Sequence, residues 1–150
     1  MNIRIVAVGK IKEKYLQKGI QEYIKQLSRY CNIEIVEVSD EKAPETLSPA
    51  EEEIVKQIEG KSILKALRRD AFKIALAIEG QAMTSEEFAK KLAQLKAQGR
   101  DRIDFIIGGS LGLDHNIFKQ SDMLLSFSRL TFPHQLMRLI LLEQIYRLFQ

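Results

Sequence analysis

The chain has 150 residues, 45% of them hydrophobic, and 23 Lys and Arg against 20 Asp and Glu, a net charge of +3. That length fits one domain, residues 1–150, with a core of its own and no need of a disulfide or metal staple; the single Cys31 cannot form an internal bridge. MNIRIVAVG lacks a signal-peptide pattern and no apolar run reaches membrane-spanning length, so a cytoplasmic protein is expected, with a mild basic bias that suits a polyanion without requiring one.

Ile3, Ile5, Val6 and Val8 predict a first strand ending at Gly9, and the lysine-rich KIKEK leads into a helix with Leu16, Ile20, Tyr23, Ile24 and Leu27 at helical spacing. IEIVEV (33–38) alternates apolar and acidic residues, a strand with one face less covered. SDEKAPETLSPAE is polar and twice interrupted by proline. Within it Ser48, Pro49 and Glu51 form a capping box with proline at the first helical position, opening a helix to about Arg68 that Gly60 weakens or divides. Residues 72–78 read as a buried strand closed by Glu79 and Gly80. Thr84 and Glu87 cap a helix over 85–98, and Gly99 fits its carboxyl-terminal cap.

Residues 103–113, IDFIIGGSLGL, are the centre of the pattern. Ile103, Phe105, Ile106 and Ile107 form the short apolar run of a parallel strand covered on both faces. It feeds into Gly108, Gly109 and Gly112, residues that let a backbone come close to a ligand. A short helix over 116–120, a strand over 123–127 and a long helix over 133–149 complete the chain. Alternating strands and helices predict an α/β fold: a parallel-rich sheet with helices on both faces and ligands at the strands' carboxyl ends. Residues 76–80, 108–112 and 127–132 all fall at such ends. The last helix is apolar over more than one stripe, so it needs covering on two sides, by its own sheet and by a second subunit or by the rest of one chain.

GGSLG matches the Gly-x-Ser-x-Gly elbow of hydrolases around Ser110, but the available acid and histidine, Asp122 and His134, follow too closely for partners on separate later strands. It is neither a dinucleotide nor a Walker loop, and its plainest reading is a turn joining strand to helix. His134, just after Pro133, is either a cap or part of an anion-friendly helix start; Glu143 and Arg147 fit an ordinary helical ion pair. His115, His134 and Cys31 offer no metal-ligand spacing. Lys10, Lys12, Lys14 and Lys18, then Arg68 and Arg69, then Arg100 and Arg102, are either phosphate contacts or solvated surface.

The succession VAVGK, LAIEG, IIGGSLGL and LSFSRLTFPHQLMRLILLEQIYR resembles the ribosomal RNA large subunit methyltransferase H family, bacterial members of the SPOUT class of α/β-knot methyltransferases, over essentially the whole chain. The resemblance implies a homodimer whose C-terminal third is threaded as a trefoil knot, an exception to the rule that chains avoid knots. It implies S-adenosylmethionine as methyl donor, and as acceptor N3 of a pseudouridine in helix 69 of bacterial 23S rRNA within assembled ribosomes. Carried over by motif, the cofactor contacts fall at Leu76, Gly108, Phe127, Ser128, Arg129, Leu130, Thr131 and Phe132. Ser110 stands where the family holds no serine. For removing the N3 proton or stabilising the anion, the chain offers His134, Arg138 and Arg147. Family members continue into a short tail ending in a Tyr-His-Lys-like motif, whereas this sequence ends at Gln150. The expectation is therefore cofactor binding with poor methyl transfer, and the rival is a non-catalytic ribosome-binding protein that keeps the fold.

Overall fold

The computed structural model describes residues 1–41 and 46–150. Five strands alternate with five helices: β1 (Asn2–Val8), α1 (Lys14–Leu27), β2 (Asn32–Val38), α2 (Pro49–Ala66), β3 (Phe72–Ala82), α3 (Ser85–Ala97), β4 (Arg102–Ile107), α4 (His115–Gln120), β5 (Met123–Ser126) and α5 (His134–Arg147). Part of the proline-broken stretch before α2, residues 42–45, lies outside the described residues.

The strands form one sheet in the order β2-β1-β4-β3-β5, every pairing parallel. Alternation along each strand divides the core in two. Ile3, Ile5 and Ala7 of β1 with Ile103, Phe105 and Ile107 of β4 pack under α1, α3 and α5. Val6, Val8, Ala75 and Ile106 face the other way, against Ile63 of α2 and Ile117 of α4. Crossovers running one way along the sheet carry α1 and α3 on one face; those running back carry α2 and α4 on the other, as a single crossover hand demands. At the carboxyl ends of the neighbouring strands β3 and β4 the chain therefore departs to opposite faces and leaves a crevice, the usual place for a ligand in such sheets.

Both capping boxes form: Glu51 N–H donates to Ser48 Oγ at 3.2 Å and Glu87 N–H to Thr84 Oγ1 at 3.0 Å. Gly99 takes the left-handed conformation at φ +78° past α3. Two expectations need correction. Gly60 does not divide α2: the helix is continuous, and the glycine is where it meets Asp114, whose side chain would lie 3.2 Å from an added Cβ. Nor do Glu79 and Gly80 close β3. After Leu76 the strand bulges and pairs with β5 again through Gln81 and Ala82, because Gly80 lets the two backbones meet where a Cβ would stand 2.7 Å from the Leu124 carbonyl carbon.

Helix α5 lies over the sheet beside α1 and α3. Leu141, Leu142 and Ile145 are fully buried, Leu139 touches Gly19 of α1, and Tyr146 meets Tyr23 edge-on at 5.8 Å. Much of its apolar excess is thus satisfied within the chain, while Leu136, Met137, Leu139 and Ile140 stay only half-buried.

Candidate active site

A cleft of about 750 Å³ opens at the carboxyl ends of β3, β4 and β5. That volume lies within the usual range for small-ligand sites. Three loops build it, and each has a local cause. The bulge in β3 turns Ala77, Ile78 and Glu79 into one wall. The second wall is the glycine loop after β4, closed by a Gly112 N–H to Gly109 carbonyl hydrogen bond of 3.0 Å, with Gly112 at φ +87°. Gly108 is required by crowding: a Cβ there would stand 2.9 Å from Leu113 Cδ2 and 3.0 Å from the Gly112 carbonyl. The third is the segment between β5 and α5, pinned where Ser126 Oγ donates to the Ser128 carbonyl at 3.2 Å and Ser128 Oγ accepts from Leu130 N–H at 2.9 Å.

Of the residues singled out from the sequence, Leu76, Gly108, Phe127, Ser128, Leu130, Thr131 and Phe132 line the cleft together with His134. Arg129 lies beside them but not on the wall. Arg138 is buried behind the cleft, where Nη1 donates to Glu37 at 2.6 Å and Nη2 to the Gly9 carbonyl at 3.2 Å, and Nε has no partner among the described residues. Arg147 sits at the far end of α5, about 20 Å along the helix from His134, bonded to Glu143 at 2.8 Å. Neither arginine lines the cleft. Lys56, Phe118 and Met137 do; Met137 falls within the terminal motif but was not singled out, and no motif pointed to Lys56 or Phe118.

Ser110 also lines the cleft, but the Asp122 carboxylate accepts from Lys73 N–H at 2.8 Å, at the strands' opposite end. The hydrolase triad is therefore not assembled. Among the described residues no cluster of His, Cys, Asp and Glu could hold a metal ion, and no helix is long and apolar enough to cross a membrane.

Two titratable groups border the site. Burial pushes the His134 imidazole below its ordinary pKa; Arg138 adds to the fall, while Asp40 and Glu13 oppose it. Glu59 of α2 lies beneath the glycine loop, 3.2 Å from where a Gly109 Cβ would be. Its carboxyl is pushed up to about 7 by burial, with the neighbouring Asp40 adding to the rise and the Glu41 N–H, which donates to it at 3.1 Å, resisting.

The whole chain, residues 1–150, matches the family model described as "Predicted SPOUT methyltransferase". The chain belongs to the SPOUT methyltransferase family. Within it the chain is similar to the ribosomal RNA large subunit methyltransferase H of Clostridioides difficile, 57% identical over 150 residues that cover all of this chain and 94% of that protein. The protein of the same name from Alkaliphilus oremlandii is 58% identical over 147 residues, 98% of this chain and 92% of that one. A crystal structure of a protein assigned to a methylase family, from Neisseria gonorrhoeae, superposes with a TM-score of 0.56 over 97% of this chain and 82% of that one; at 14% identity it bears on the fold alone. The parallel sheet with helices on both faces is thus the architecture of a SPOUT methyltransferase, and its topology is consistent with the threading of that class.

Proposed function

We propose that this chain transfers a methyl group from S-adenosylmethionine to ribosomal RNA of the large subunit, at N3 of a pseudouridine in helix 69 of 23S rRNA on assembled ribosomes. The observation that carries the reading is the convergence of three strand-end loops and His134 on one cleft. The names of the full-length relatives support the RNA class. The cleft fits the cofactor chemically: Leu76, Ile107, Leu113, Leu125 and Phe127 offer an apolar slot of the kind an adenine ring needs, and the glycine loop brings main chain to the cleft wall. We assign Leu76, Gly108 and residues 127–132 to holding it, Arg129 through its backbone.

The cofactor supplies an already activated methyl on a sulfonium. The protein's part is then chiefly positioning, which can be worth about 7 to 11 kcal/mol of barrier. The acceptor nitrogen must still lose a proton. His134 is on the cleft wall and kept neutral by burial and by Arg138, so its imidazole is the proposed acceptor. Arg138 acts through it as a positioning residue, tying the first turn of α5 to the end of β1 and holding a positive charge one turn from the imidazole. Arg147 has no role in this chain's own cleft; we place any catalytic role for it at a site shared with another copy.

Calorimetric titration with S-adenosylmethionine, followed by transfer of labelled methyl to ribosomes and mapping of the label, tests the reading. Gly108→Val should abolish cofactor binding while the chain stays folded, because the added atoms press on the Gly112 backbone. Cofactor binding without label on the RNA would favour a non-catalytic ribosome-binding protein, and unchanged binding by Gly108→Val would remove the cofactor assignment.

A further inference from the structure

Residues 10–18, KIKEKYLQK, hold four lysines and one glutamate, a charge of +3, which equals the net charge of the whole chain. The other residues are neutral in sum. Lys10, Lys12, Lys14 and Lys18 are all exposed, and none pairs with an acid among the described residues. Three of the other arginines that the sequence offered are engaged elsewhere. Arg68 donates from N–H and Nε to Asp104 at 2.6 and 2.8 Å, Arg102 binds Asp70 at 2.9 Å, and Arg100 lies 5.5 Å from the Phe72 ring centre. All three stand at the amino ends of the strands, away from the cleft.

The lysine ridge stands beside it. Gly9, next to Lys10, accepts from Arg138 on the first turns of α5, and Glu13, between Lys12 and Lys14, is close enough to His134 to act on its charge. Gln17 Nε2 donates to the Ile11 carbonyl at 2.6 Å and folds the segment against the start of α1. The cleft cannot hold a polyanion alone, since Lys56, its one lysine or arginine among the described lining residues, is bonded to Glu53 at 3.2 Å.

We infer that Lys10, Lys12 and Lys14, with Lys18 one turn on, form the phosphate-binding ridge that docks the RNA substrate and presents its target nucleotide to the adjoining cleft. The inference rests on the RNA-methylating reading. Point contacts from flexible lysines supply affinity and register along a nucleic-acid backbone, leaving recognition of the base to the cleft.

Ribosome binding by Lys10→Glu/Lys12→Glu/Lys14→Glu tests it, against Arg29→Glu/Lys61→Glu/Lys90→Glu, an equal charge change on other exposed sites. The ridge variant should bind ribosomes at least about tenfold more weakly at moderate salt, with the log–log salt dependence shallower by about 2 to 3. Its S-adenosylmethionine affinity should stay within about twofold of the parent's, which also certifies the fold; the matching Lys→Arg triple should retain ribosome binding. Equal losses in both variants, or none in the ridge variant, overturn the inference. So does a changed sedimenting mass with ribosome affinity intact, which would make the ridge a contact between copies of the chain. A parent that binds ribosomes through the ridge without methylating them overturns the proposed reaction and leaves the ridge standing; a parent that does not bind them overturns both.

Discussion

At the scale of single residues the site depends on where charge is suppressed. His134 titrates below its ordinary value, so the acid limb of the pH–rate profile for methyl transfer should lie below pH 6.5. His134→Gln should lower kcat by about 10²- to 10⁴-fold, the usual worth of a positioned base, with little change in cofactor affinity. A variant as active as the parent would dismiss the imidazole as proton acceptor. Glu59 behaves in the opposite sense. Its folded pKa of about 7 exceeds the ordinary 4.5, so between those values the folded state holds a proton that the unfolded chain releases. Stability should therefore fall as pH rises through that window, by no more than about 3 kcal/mol, and level off above it. Denaturant midpoints from pH 4 to 8 check this, and Glu59→Gln should flatten the curve.

At the scale of elements, the bulge in β3 matters most, because it converts a strand end into a wall of the cleft. Gly80→Ala places a Cβ against backbone of β5 that cannot turn aside, so a loss of about 1 to 3 kcal/mol is expected, with weaker cofactor binding. Unfolding and calorimetric titrations measure the two effects, and a neutral substitution would mean that the strands part easily. In the sequence this feature looked like a stop, Glu-Gly after an apolar run. Only pairing with β5, over 40 residues further on, carries the strand past it. The capping boxes were legible because each is decided within four residues. Arg138 was legible as a cation near His134 but not as a buried one, since Glu37 of β2 and the Gly9 carbonyl after β1 reach it only once α5 folds back over the sheet.

At the scale of the molecule, α5 sits between α1 and α3 and still leaves apolar side chains half-covered. Leu130 and Phe132, at the cleft, are 71% and 37% exposed. A second copy would cover such surface, and sedimentation equilibrium should give a mass near twice the 17.2 kDa chain. A monomer at micromolar concentration would exclude that pairing and leave the cleft to function within one chain.

The sequence by itself determined the alternation of strands and helices, the two capped helix starts and the three strand-end loops, because hydrophobic period, cap chemistry and glycine act over a few neighbouring residues. The long terminal motif likewise carried the family. What only the tertiary structure decided is which charges are free. Arg68, Arg102 and Arg138 are drawn into ion pairs by strands and helices distant in the chain, Arg147 is carried to the far end of its helix, and Lys56 is brought to the cleft. A charge's availability depends on what folds against it, and that is a property of contacts rather than of spacing.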